Sequence, residues 1–99
     1  MSESPHVPDI TRLFIGAGNE FEVEVVLAGS EDMSPKEPHD YLEYIVVVTG
    51  AIILERSDED TPQKHVAPAL IELPPGTVHQ IDAQEDDTKL VIIHPDRTV

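Results

Sequence analysis

The segment Glu20-Phe21-Glu22-Val23-Glu24-Val25-Val26-Leu27 carries the clearest local pattern in the chain. Phe21, Val23, Val25 and Leu27 alternate with Glu20, Glu22 and Glu24, a period of two that marks a half-buried strand and not a helix. Similar short apolar runs predict strands over 11–15, 43–49, 51–56, 64–66, 70–73, 78–82 and 89–93, each bounded by Gly, Pro or acidic turn residues. No window has helical periodicity with a cap. The expectation is an all-β protein, and so many short strands with turn signals point to a sandwich, jelly roll or barrel.

The run 43–49 differs from the first stretch. Alternation places Glu43, Ile45 and Val47 on one face and Tyr44, Val46 and Val48 on the other, so both faces are apolar. Such a strand needs a cover on its outer side, either a second sheet layer or another subunit. With 99 residues, 39% of them apolar and no Trp, one thin core is expected, burying about two-thirds of the chain's surface. Residues 1–8 read as a flexible N-terminal arm and 9–99 as a single domain. Self-association would add burial, and a homodimer is expected.

Six Lys and Arg against 20 Asp and Glu give a net charge of −14, which repels nucleic acid and anionic membrane surfaces. The acidic clusters Glu31-Asp32, Asp58-Glu59-Asp60 and Glu85-Asp86-Asp87 fall between apolar segments, where they solvate turns. None has the ligand alternation of a calcium loop. The absence of Cys removes disulfides, thiolate metal sites and thiol nucleophiles. The first residues carry no basic segment or apolar run, and no stretch approaches the ~20 apolar residues of a membrane span, so the expected location is cytoplasmic.

His39, Glu43 and His79 are metal-competent residues at or beside predicted strand ends. Two imidazoles and a carboxylate suit non-haem iron(II), with manganese, nickel, cobalt and zinc also chemically acceptable. His39 and Glu43 meet either along a strand or across a corner at Asp40-Tyr41-Leu42. Pro74-Pro75-Gly76 ends one strand and turns the chain into the next, which places His79 at a rigid strand entrance. Gly50 reads as a hairpin residue, His94-Pro95 as a solvent-facing strand end, and His6 and His65 as surface residues. Tyr41 is a candidate substrate-binding residue; as one of four aromatics it also suits a core or interface.

These segments resemble the cupin superfamily of small metal-binding jelly-roll barrels. The first cupin motif is Gly, five residues, His-x-His, three or four residues, Glu, six residues, Gly; His39, Glu43 and Gly50 match its second His, its Glu and its final Gly. The second is Gly, five residues, Pro-x-Gly, two residues, His, three residues, Asn; Pro74, Gly76 and His79 match its centre. Glu37 stands in place of the first His, Glu31 and Pro68 in place of the leading glycines, and Ala83 in place of the final Asn. The resemblance implies a double-stranded β-helix holding one divalent transition metal (iron, manganese, nickel or zinc) through His39, Glu43 and His79, with Glu37 a candidate fourth ligand. It implies a small organic ligand in the barrel and either an oxygenase, isomerase or lyase or a non-catalytic binding or sensor protein that need not hold metal. Fold alone does not choose among these.

Overall fold

The computed structural model describes residues 9–15, as backbone, together with 22–34, 36, 38 and 40–95. The predicted arm, Phe21 and the candidate ligands Glu37 and His39 lie outside the described residues. Eight strands follow in order: β1 (Asp9–Ile15), β2 (Glu22–Ala28), β3 (Glu43–Thr49), β4 (Ala51–Arg56), β5 (Gln63–Val66), β6 (Ala69–Leu73), β7 (His79–Ala83) and β8 (Thr88–His94). They form a five-stranded sheet in the order β1-β2-β8-β3-β6 and a three-stranded sheet in the order β5-β4-β7, with every pair antiparallel. The chain is all-β, as the period-two pattern predicts. Among the described residues no helix is long and apolar enough to cross a membrane.

The core lies between the two sheets. Ile45 and Val47 from β3, Ile52 and Leu54 from β4 and Leu73 from β6 are almost wholly enclosed, joined by Val26, Ile71, Ile81 and Leu90. Each such side chain contributes about 1.5–3 kcal/mol by leaving water. Along β3, Glu43, Ile45 and Val47 face inward while Tyr44 and Val46 are half-buried and Val48 is exposed, matching the division expected from alternation.

In β2 the charged residue lies on the inside. Glu22, Val26 and Ala28 face the interior and Leu27 faces out, 46% exposed, so Val23, Val25 and Leu27 form the outer row. Alternation alone gives two faces without saying which is wet, and here the inner position of Glu22 is fixed by a partner on β8.

Gly50 is not a hairpin residue. β3 pairs with β6 and β8, whereas β4 pairs with β5 and β7, so Gly50 is the corner where the chain leaves one sheet for the other. Its φ is +81°, and a Cβ there would lie 2.8 Å from the Thr88 Cα and 2.9 Å from its Cβ. Pro74-Pro75-Gly76-Thr77 makes the corresponding passage from β6 to β7, with Gly76 at φ +85° and the Thr77 N–H donating to the Pro74 carbonyl at 3.2 Å. Gly50→Ala is therefore expected to cost about 2 kcal/mol or more, through a left-handed conformation and a backbone collision together. Urea denaturation measures this, and an unchanged midpoint would contradict the close approach at Thr88.

Candidate functional site

Strand register brings four ionisable side chains to one end of the barrel. Glu22, first in β2, pairs with His94, last in β8. On the other side of β8, Tyr44 pairs with Ile93, which places Glu43, first in β3, beside His94. His79, first in β7, arrives from the opposite sheet through the Pro-Pro-Gly turn. All four are buried, at 2% (Glu22), 3% (Glu43), 6% (His79) and 5% (His94) relative exposure.

Their contacts form a chain. His94 Nδ1 lies 2.8 Å from Glu22 Oε1 and its Nε2 lies 2.8 Å from Glu43 Oε1. The other Glu43 oxygen, Oε2, lies 3.4 Å from His79 Nε2, and His79 Nδ1 lies 3.3 Å from the Thr77 carbonyl oxygen. An ionised carboxylate only accepts hydrogen bonds, so His94 donates from both nitrogens and carries a positive charge between two negative ones. Burial pulls the His94 pKa down, but its bonds to Glu43 and Glu22 outweigh this and hold it above the ordinary histidine value. Burial likewise pushes Glu43 up, yet the hydrogen bonds and charge of His79 and His94 prevail and lower it to about 2.

The two ends of Glu43 differ in what they can hold. The Thr77 carbonyl fixes a hydrogen on His79 Nδ1 and leaves Nε2 as the atom turned to Glu43 Oε2, the arrangement in which an imidazole serves as a metal ligand. Donor atoms bound about 2.1 Å from one ion lie about 3–3.5 Å apart, so the separation at Oε2 and Nε2 fits two neighbouring ligands. His94, with both nitrogens committed to carboxylates, does not fit as a ligand. Among the described residues no three His, Cys, Asp or Glu side chains converge in metal-binding geometry; the described part supplies two donors. Asp40 and Tyr41 form a bend and Glu43 begins β3, so the route back toward His39 is a corner and not a continuous strand.

Sequence reasoning missed Glu22 and misread His94, which is enclosed and not solvent-facing. The signal was present in β8: Lys89 must face water, which turns Leu90, Ile92 and His94 inward by alternation. Tyr41 packs edge-on against His94, ring centroids 4.7 Å apart and planes at 70°, so it braces the cluster. His65, expected at the surface, is half-buried, with Nε2 enclosed and without a hydrogen-bond partner.

Next to the cluster, a small apolar cleft of about 80 Å³ opens to solvent between the sheets, lined chiefly by Val26, Met33, Ile81, Ala83, Leu90 and Ile92. Ile81 and Ile92 stand two residues along their strands from His79 and His94, so the cleft begins one layer below the ionisable groups. Its rim is the segment 32–34, stitched to the edge of β7 by Ser34 N–H to the Ile81 carbonyl (2.9 Å) and Ala83 N–H to the Asp32 carbonyl (3.0 Å).

No protein-family model and no curated protein matches the chain. Solved structures do. An RmlC-like cupin family protein with a double-stranded β-helix fold from Methanocaldococcus jannaschii superposes with a TM-score of 0.79 at 11% identity, over 97% of this chain and 86% of that one. KdgF from Halomonas gives 0.77 at 17% identity, over 97% and 87% of the two chains. A cupin 2 domain-containing protein from Halorhodospira halophila gives 0.75 at 21% identity, over 99% and 71%. Identities this low speak to architecture alone, and on that level the two-sheet topology and the superpositions agree: this protein has the cupin fold, a double-stranded β-helix.

Proposed function

We propose that the protein binds a small organic molecule in the barrel beside one divalent transition metal, iron, manganese, nickel or zinc, and acts on it as an oxygenase, isomerase or lyase. The observation that carries this reading is the pair His79 Nε2 and Glu43 Oε2, buried, 3.4 Å apart and oriented from behind by Thr77 and His94. His39 supplies the third ligand and Glu37 a candidate fourth. When bound, the ion supplies Lewis acidity and an open position for a polar group of the ligand. The apolar cleft takes the ligand's hydrocarbon part, and Tyr41, packed on His94, is the candidate substrate-binding aromatic beside the cluster. One observation favours a second reading, a metal-free binding or sensor protein: both Glu43 oxygens already face imidazole nitrogens, so a proton satisfies the site where an ion otherwise would.

The outer face of the larger sheet supports a twofold homodimer. Val23 pairs with Ile93 and Ile93 with Tyr44, while Val25, Val91, Val46 and Leu70 follow one another across four strands. Leu27, Val48 and Leu70 are 46%, 46% and 68% exposed on that side.

The metal reading is tested by metal content per chain after anaerobic reconstitution of identically prepared wild type, His39→Ala, Glu43→Gln and His79→Ala. About one ion in the wild type and loss in each variant is expected, with affinity falling as pH drops through about 6.5, where imidazole protonates. Glu37→Gln weakens binding only where that side chain coordinates. A wild type without metal, or three variants that retain it, refutes the site. Light scattering at tens of micromolar is expected to show two chains per particle, and a monomer overturns the dimer.

The metal-free protein carries a pH signature with a definite sign. Glu43 is lowered from 4.5 to about 2 on folding, so its stabilising contribution is complete above about pH 4.5 and is lost as pH falls through about 2. His94 is raised above 6.5, so its contribution is complete below about 6.5 and is lost as pH rises through the folded value. The stability gap between wild type and His94→Gln, read from urea midpoints, is expected to be widest between those limits and to narrow toward alkaline pH. A gap independent of pH contradicts a charged His94.

A further inference from the structure

We propose that Glu22 and His94 are positioning residues that hold Oε1 of Glu43, so that its carboxylate presents a single oxygen, Oε2, toward His79 and the ion seated there. The inference rests on the metal reading of Glu43 and His79 given above and adds to it two residues that the cupin motifs quoted above do not contain.

The geometry argues it in three steps. First, the two Glu43 oxygens are inequivalent: Oε1 makes a 2.8 Å bond to His94, whereas Oε2 lies 3.4 Å from His79. A carboxylate free to swing offers an ion one oxygen or two; with Oε1 held by His94, the first mode is favoured. Second, His94 cannot turn to release Oε1 without breaking its bond to Glu22 at the same distance, and the Tyr41 ring closes one side of the imidazole. Backbone register holds the strut at both ends, since Glu22 and His94 are paired residues of adjacent strands. Third, a Glu-His-Glu chain is a costly filling for a core. Two carboxylates and an imidazole at 2–5% exposure lose most of their hydration, and apolar side chains of similar volume stabilise at least as well. Stability alone therefore does not account for Glu22 and His94, whereas fixing the direction of a ligand does, because a ligand held in place before the ion arrives loses little freedom on binding.

The test uses Co²⁺ alone as probe, with dissociation constant and visible absorption spectrum as readouts, on wild type, His94→Gln and Glu22→Gln. The amide in His94→Gln retains a donor but cannot bridge both carboxylates, and the amide in Glu22→Gln retains an acceptor but loses the charge. His94→Gln is expected to weaken Co²⁺ binding about 10–100-fold and to alter the absorption bands as Glu43 turns to offer both oxygens. Glu22→Gln is expected to shift both readouts in the same direction by a smaller factor, and it carries the test where His94→Gln fails to fold. A folded variant set with wild-type affinity and spectrum overturns the strut while leaving the metal site standing. A wild type that takes up no Co²⁺ overturns the metal site instead, and the strut is then decided in crystals of the metal-free proteins. There, a Glu43 carboxylate that is single in the wild type and turned or multiple in His94→Gln upholds it, and one unmoved in the variant refutes it.

Discussion

A carboxylate taken out of water must find donors or take up a proton, and that constraint organises the end of the barrel where four strands meet. Glu43 is 3% exposed and still strongly acidic because two imidazoles face its two oxygens. His94 in turn is held charged by lying between Glu43 and Glu22. Removing His94 strips two buried carboxylates of the positive group they share, which costs far more than an exposed ion pair contributes. The four groups therefore act as one unit whose positions are set by the ends of β2, β3, β7 and β8.

That unit exists because the chain changes sheets at defined points. His79 belongs to the three-stranded sheet and the other three residues to the five-stranded one, so the cluster forms only where the sheets face each other. The Pro74–Thr77 turn delivers His79 across the gap, and the Gly50 corner sends β4 to the opposite sheet, where it pairs with β7. At Gly50 the backbone of Thr88 comes too close for any side chain, and Thr88 itself is fully buried with its hydroxyl donating to the Glu85 carbonyl at 2.7 Å. The glycine matters less for the turn it makes than for the approach it permits.

The strands were legible because period two survives in short runs bounded by proline, glycine and acidic residues; the expected segments 43–49 and 51–56 coincide with β3 and β4, and the others differ by one or two residues at their ends. What periodicity does not carry is phase. Glu22-Val23-Glu24-Val25 reads as charge outward when taken alone, and only its pairing with Thr88–His94, whose Lys89 must face water, shows Glu22 to be inside. His94 was hidden for a related reason, since a histidine before a proline at a chain end has no local feature that separates a buried ion from a solvated one. Of the four expected ligands, Glu43 and His79 lie side by side, 3.4 Å apart. Glu37 and His39 lie outside the described residues, in the stretch leading to the corner before β3. Gly50 was recognisable as a turn, but its role as a passage between sheets depends on long-range pairing that no local window contains.

The inversion of β2 links the interior to the exterior. A strand that places Glu22 inside and Val23, Val25 and Leu27 outside is unfavourable on both faces unless each is matched, and a one-residue slip in register would exchange the two sets. On the inner face His94 supplies the match. On the outer face the match is apolar surface, and the row Val25, Val91, Val46 and Leu70 already continues it across the sheet. A second copy closing over that row would hold β2 in the register that keeps Glu22 against His94. The proposed dimer and the ionisable cluster would then be two faces of the same strands, the outer contact and the Glu22–His94 bond both favouring one register of β2.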